Sequence, residues 1–257
     1  MEKSRPSFAF NNHYGVSMHS LNHILDVGTP FVIFEAYVSS YHEFIDFIKF
    51  GWGSALIDPE FESKKEICER FGIKPLLGGT FFEYMIHHHS FADFVKKIEQ
   101  YGLQCVELSR GTIDIDDSVY ASYIKQLSSD YYVMSEVGRK SSDPSQALAP
   151  SQWLAHCELS SDAVASLGIL ESRESGRSGY VSTGGDVNAV MLDSISNSLP
   201  INSLLFEAPI KSVQTFLIKR YGASVNLGNL SLVDLLAVQS LRLGLRSDTL
   251  LESQAMF

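Results

Sequence analysis

One unit recurs along this chain: an apolar run, a short turn, an amphipathic helix, and then the next apolar run. Four of the runs end on a glutamate: Cys105-Val106-Glu107, Met134-Ser135-Glu136, Ile169-Leu170-Glu171 and Leu205-Phe206-Glu207. Small, polar or turn-forming residues follow each of them. Strands joined by single helices run parallel, and in a closed barrel their ends converge on one mouth. The repeat therefore places four carboxylates around one cavity. Their mutual repulsion is tolerable only beside cations or a bound metal.

Strands are expected at 21–26, 44–50, 73–77, 105–108, 131–136, 165–171, 203–207 and 224–227. Between them lie helical patterns such as PEFESKKEICERFG and SFADFVKKIEQYG. Ser90 caps the second, and Gly72 and Gly102 close the two. Later helices are expected at 116–127, 151–160, 187–198, 210–221 and 232–243. The pattern predicts an α/β fold, a single (β/α)8 TIM barrel over 21–250, with an irregular extension over 1–20 and a tail over 251–257. A doubly wound open sheet is the competing arrangement, but eight units is the number that closes a barrel, and 257 residues is its usual length. Residues 139–150, RKSSDPSQALAP, read as a mobile loop after the fifth strand.

Composition removes several function classes. A net charge of −10 argues against a nucleic-acid partner, because phosphate backbones demand clustered Lys and Arg. No apolar run approaches the ~20 residues of a membrane span, so no membrane partner is expected. The start of the chain lacks the apolar core of a signal peptide. Cys68, Cys105 and Cys157 match no zinc spacing and read as reduced thiols, so a cytoplasmic protein is expected. Small anionic substrates remain open, since a local basic focus overrides the global field.

Such a focus is present. Lys49 stands inside an apolar strand ahead of Gly51-Trp52-Gly53, and a buried lysine needs a carboxylate or an anionic ligand. Gly78-Gly79-Thr80 offers backbone N–H groups and a hydroxyl to an anion, or else a simple tight turn. His87-His88-His89 cannot all face one metal and read as a solvated turn. The loop after Glu171 carries Arg173, Ser175 and Gly176, where a guanidinium and backbone amides can clamp a phosphate or carboxylate. Asn226 and Asn229 end the eighth strand, near where barrels often hold phosphate. Candidate mouth residues are thus Asp26 and the four glutamates, set against Lys49, Arg110, Lys140, Arg173 and Lys211. Mixed carboxylates and cations suit a small phosphorylated acid with Mg2+, which needs only one or two carboxylates because it keeps its waters. Glu107, Glu136, Glu171 and Glu207 form the pool of metal ligands. Arg242 and Arg246 either reach the mouth or answer a helix dipole.

The segments FIDFIKFGWGS, GGTFFE, VELSRGTIDI, SEVGRK, ESRESG, FEAP, SVNLGN and LRLGLRSDT, in order from about residue 21 to 249, together resemble the phosphosulfolactate synthase family. The chain is also similar to plant heat-stress-associated proteins. The resemblance implies a Mg2+-dependent (β/α)8 enzyme that adds sulfite to phosphoenolpyruvate, giving (2R)-phospho-3-sulfolactate, an early intermediate of coenzyme M synthesis in methanogens. Sulfite would attack C3, an enediolate would build up, and a general acid would protonate C2. The family's motif puts Lys140 in the acid's place, a role expected to need a pKa depressed by neighbouring cations. Lys49 and Arg173 would hold phosphate or carboxylate. A homo-oligomer is expected, a trimer among the arrangements allowed.

Three departures stand against the family pattern. Asp26-Val27-Gly28 replaces Asp-Lys-Gly, His19-Ser20-Leu21-Asn22 replaces Arg-Gly-Leu-Thr, and Ser109-Arg110-Gly111 replaces Ser-Asp-Gly. Val27 and Arg110 keep a second reading in play, a repurposed member using another nucleophile or unsaturated acid, and the likeness to the plant proteins a third, a non-catalytic stress-related barrel.

Overall fold

The computed structural model describes residues 20–140, 147–173 and 175–251. Nearly all of the expected extension, the tail beyond 251 and the middle of the 139–150 loop lie outside the described residues.

Eight strands form one parallel sheet: β1 (Asn22–Asp26), β2 (Phe47–Phe50), β3 (Lys74–Leu77), β4 (Cys105–Leu108), β5 (Tyr132–Val137), β6 (Leu167–Leu170), β7 (Leu204–Glu207) and β8 (Leu227–Leu230). Their order, β3-β2-β1-β8-β7-β6-β5-β4, pairs β1 with both β2 and β8, so the sheet curls round on itself. This is a (β/α)8 barrel, with one seam between β3 and β4 that carries no strand ladder. The helices outside are α1 (Phe31–Tyr41), α2 (Phe61–Arg70), α3 (Gly79–His88), α4 (Phe91–Gln100), α5 (Asp117–Leu127), α6 (Pro150–Asp162), α7 (Ala189–Ser198), α8 (Lys211–Tyr221) and α9 (Leu235–Arg242). Ser90 caps α4 by accepting from the Asp93 amide, as its position predicted. The glycine pair begins a helix of its own, α3, whose end leaves His87 and His88 exposed.

Period-two alternation splits the strand residues into two cores. Phe47, Leu76, Cys105, Met134, Ile169 and Leu205 fill the barrel, while Ile24, Ile48, Phe50, Val106 and Leu108 face the helices. Both faces are dry, which is why the strands read as nearly continuous apolar runs. Phe50, packed between Phe34 and Phe61, contributes roughly 2–3 kcal/mol of that burial.

The bottom of the barrel is tied by polar side chains. Arg242, only 2% exposed, donates to the Val225 carbonyl at 2.8 Å and to Asn22 Oδ1 at 2.9 Å, joining α9 to β8 and β1. Asn226 accepts from the Leu21 amide at 2.8 Å and donates to the Leu204 carbonyl at 2.9 Å. These residues therefore sit at the end opposite the mouth, and Asn226 is corrected from ligand residue to barrel staple. The last strand runs three residues later than its expected 224–227. Gly228 permits this, because a Cβ there would stand 2.3 Å from Leu205 in the barrel interior. Asp26 is also corrected. His23 and Leu25 take the inner face, so Asp26 turns outward, 3.1 Å from Lys64 of α2.

Candidate active site

The inner-face positions at the strand ends deliver Lys49 from β2, Glu107 from β4, Glu136 from β5, Glu171 just past β6 and Glu207 from β7 into one cavity of about 210 Å3. Lys140, Arg173, Gly78, Gly79, Thr80 and Asn229 also line it. The four glutamates do converge.

Their partners set them apart. Lys49 Nζ lies 3.1 Å from Glu107 and 3.3 Å from Glu207. Burial works against its charge, but Glu107, Glu207 and Glu136 outweigh burial and raise its pKa. Glu207 also accepts from the amides of Ser172 (2.9 Å) and Arg173 (2.8 Å), both on one carboxylate oxygen. Glu107 accepts from the Gly79 amide at 2.6 Å, a bond that spans the unpaired seam. Burial chiefly, opposed by Lys49 and aided by Glu136, pushes the Glu107 carboxyl up to about 7.

Glu171 has no comparable partner. Among the described residues neither of its oxygens, both buried, has a hydrogen-bond partner, and the nearest cation is Arg173 Nε at 3.7 Å. Burial, then Glu136 and Glu207, hold its pKa well above the usual carboxylate range.

Lys140 Nζ reaches Glu83 (2.9 Å), Ser109 Oγ (2.9 Å) and Glu136 (3.1 Å). Burial opposes its charge, yet Glu136, Glu83 and Glu171 raise its pKa. The expected depression by neighbouring cations is thus corrected: its neighbours are carboxylates, and the lysine is held charged. Glu83 escaped the sequence reading although it stands in the GGTFFE segment. Its signal was an acid between the buried Phe82 and Met85 on the inner face of α3. It accepts from Ser109 Oγ and from the amides of Thr112 and Ile113, pinning the β4–α5 loop. His23 was missed as well. It is fully buried in the barrel, its Nδ1 3.3 Å from the Asn229 amide and its Nε2 3.9 Å from Glu107. Burial and Lys49 lower its pKa, so the ring is neutral; accepting at Nδ1 puts its proton on Nε2.

Other candidates lie elsewhere. The Gly78 amide donates to Phe50 O and the Gly79 amide to Glu107, so neither is free for an anion; the Thr80 hydroxyl remains at the mouth. Arg110 turns away from the cavity to Asp117 and the Ile115 carbonyl. Lys211 pairs with Asp248 at 2.8 Å on the outer surface. Ser175 is exposed and Gly176 packs on Ile210, so this turn braces the loop. Val27 stands exposed at the rim.

Charge decides what the site lacks. Glu83 and the four glutamates are five carboxylates against three cations, Lys49, Lys140 and Arg173, a deficit of two charges if all ionise. One divalent cation, or protons on Glu107 and Glu171, closes it. Among the described residues no group of three or more His, Cys, Asp or Glu is arranged to hold a metal. The two oxygens of Glu171, with Glu136 beside it, fit an ion such as Mg2+ that takes one or two carboxylates and keeps water.

A parallel (β/α)8 barrel that gathers carboxylates, lysines and an arginine at the C-terminal mouth has the build of an enzyme for a small molecule. Within that class, the chain belongs to the (2R)-phospho-3-sulfolactate synthase (ComA) family, whose profile matches residues 17–248. It is 36% identical over 227 residues to the phosphosulfolactate synthase of Bacillus subtilis, covering 88% of this chain and 90% of that protein. It is 36% identical over 245 residues to that of Methanocaldococcus jannaschii, covering 94% and 98%. Among solved structures, 3-hexulose-6-phosphate synthase from Salmonella typhimurium superposes with a TM-score of 0.55 at 11% identity, covering 87% of this chain and 98% of that one. A 2,3-dimethylmalate lyase superposes at 0.52 with 13% identity, covering 89% and 79%. At such identities these two speak for the fold alone. No helix among the described residues is long and apolar enough to cross a membrane.

Proposed function

We propose that the protein adds sulfite to phosphoenolpyruvate with Mg2+, giving (2R)-phospho-3-sulfolactate. The observation that carries this reading is Glu171, a buried carboxylate with two unpartnered oxygens, sharing one cavity with Lys140 and Arg173. Glu171 would hold Mg2+, with Glu136 as a second ligand that turns from Lys140 and Ser109; Glu107 and Glu207 are pinned by backbone amides as well as by Lys49. Bound there, Mg2+ would supply Lewis-acid stabilisation of negative charge on a substrate carboxylate.

The remaining work falls to this chain's side chains. Arg173 and Lys49 orient the phosphate and carboxylate, and Lys49 is held by Glu107 and Glu207 before substrate arrives, which lowers the cost of ordering it. Lys140, held charged by Glu83 and Glu136, carries the proton that C2 needs. A raised pKa suits this step, since an enediolate carbon is far more basic than an amine. Leu25 and Trp52 wall the cavity and limit water. We extend the proposal to a homo-oligomer, which light scattering on the purified protein checks.

The test is purified protein with sulfite, phosphoenolpyruvate and Mg2+, followed by phosphorus NMR. A new phosphorus resonance that requires all three supports the reading. Folded protein without turnover removes it and leaves the repurposed or non-catalytic barrel.

A further inference from the structure

A second cavity, of about 230 Å3, opens on the other side of β5, against α5 and α6. Arg110, Arg139, Gln152 and His156 line it, with Tyr120 and Ser160 on the helix side. The Arg110 side chain is 11% exposed and lies over the Tyr120 ring, 4.7 Å from its centre. Its Nη1 is engaged by Ile115 O and Asp117, while Nη2 is buried with no hydrogen-bond partner among the described residues. An unmet buried donor is unfavourable, and an acceptor on a ligand would satisfy it. Arg139 donates to the Arg110 carbonyl and pairs with Asp114.

The two aspartates are weak competitors. Their side chains are 63% and 89% exposed, and ion pairs so open to water contribute little. Burial lowers the pKa of His156, with Arg110 and Arg139 adding to it and Asp117 opposing; Asp114 and Glu136 also line the cavity, and Glu136 is held by Lys140 at 3.1 Å.

We propose that this cavity binds a small oxyanion of the phosphate or sulfate kind through Arg110 and Arg139, separately from the catalytic mouth. Glu136 lines both cavities, so an anion in one acts on a carboxylate of the other.

The experiment is calorimetric titration of the full chain with inorganic phosphate and with methyl phosphate at constant ionic strength. It is repeated on Arg110→Gln, Arg139→Gln and, for the mouth, Arg173→Gln. The expected result is a phosphate site weakened at least tenfold by Arg110→Gln and by Arg139→Gln and unchanged by Arg173→Gln. Equal binding of methyl phosphate would point to the phosphate group of a larger ligand, and binding of inorganic phosphate alone to the free anion; both support the site. No phosphate binding by the parent chain, or binding lost only in Arg173→Gln, overturns it. Should Arg110→Gln unfold, Arg139→Gln, at a more exposed side chain, carries the test. None of these readouts depends on turnover, so the proposal stands or fails apart from the synthase reading.

Discussion

Replacing Lys49 with methionine keeps the length of the side chain and removes its charge. The structure sets the size of the effect. Lys49 Nζ is 3.1 Å from Glu107 and 3.3 Å from Glu207, and all three side chains are at most 6% exposed. Removing one partner of a buried pair costs about 3–5 kcal/mol, because the other charge stays desolvated and uncompensated. In a domain of this size each kcal/mol moves the melting temperature by about 2–4 °C, so Lys49→Met should melt roughly 6–20 °C lower at pH 8. The sign with pH follows from Glu107. Its folded-state pKa, about 7, lies above its unfolded value of 4.5. The stability linked to its proton is therefore fully present below 4.5 and is lost as pH rises through about 7. Without Lys49 that carboxyl rises further, so the deficit of Lys49→Met should shrink between pH 8 and pH 6, where protonation replaces the missing cation. Thermal unfolding followed by circular dichroism at the two pH values measures both. A variant within 2 °C of the parent at pH 8, or a deficit that grows on acidification, would refute the claim that Lys49 neutralises these carboxylates.

Binding of Mg2+ near pH 7 should release protons, because Glu171 and Glu107 hold them to higher pH than ordinary carboxylates. Calorimetry in two buffers of different ionisation enthalpy reads the release, and Glu171→Gln should abolish most of the binding. Gly138→Ala should weaken Mg2+ more than tenfold, since its Cβ would stand 2.0 Å from Glu171 Oε2 and 2.4 Å from Glu171 Cβ and must displace that side chain; circular dichroism checks the fold, and unchanged affinity would move the metal elsewhere. Glu83→Gln should lower kcat at least tenfold with KM little changed, and shift the basic limb of the pH profile downward, because Lys140 loses a carboxylate at 2.9 Å. Arg242→Met should cost about 3 kcal/mol of stability by leaving the Val225 carbonyl and Asn22 without their donor, while leaving kcat unaltered.

Strand and helix periods are local, and so most of the barrel was legible in the chain. The expected strands ending at Leu77, Leu108 and Glu207 end there in the structure, and the glutamates closing the apolar runs do meet at one mouth. Where a position's face depended on register, local pattern failed. Asp26 ends its strand as Glu207 does, yet it points into the helix layer because His23 and Leu25 take the inner face. The eighth strand slid by three residues because a glycine was needed against Leu205, a contact between strands that no window of sequence contains.

The site divides in the same way. The sequence by itself determined the chemical stock: carboxylates at strand ends, Lys49 in an apolar strand, Lys140 and Arg173 in the loops above. Only the tertiary structure decided their states. It tied Glu107 and Glu207 to Lys49 and to backbone amides, left Glu171 unpartnered, brought Glu83 from α3 to hold Lys140 charged, and turned Arg110 out of the mouth into a cavity of its own. The physical reason is that charge state and availability depend on burial and on partners distant in the chain, whereas residue type and period are written locally.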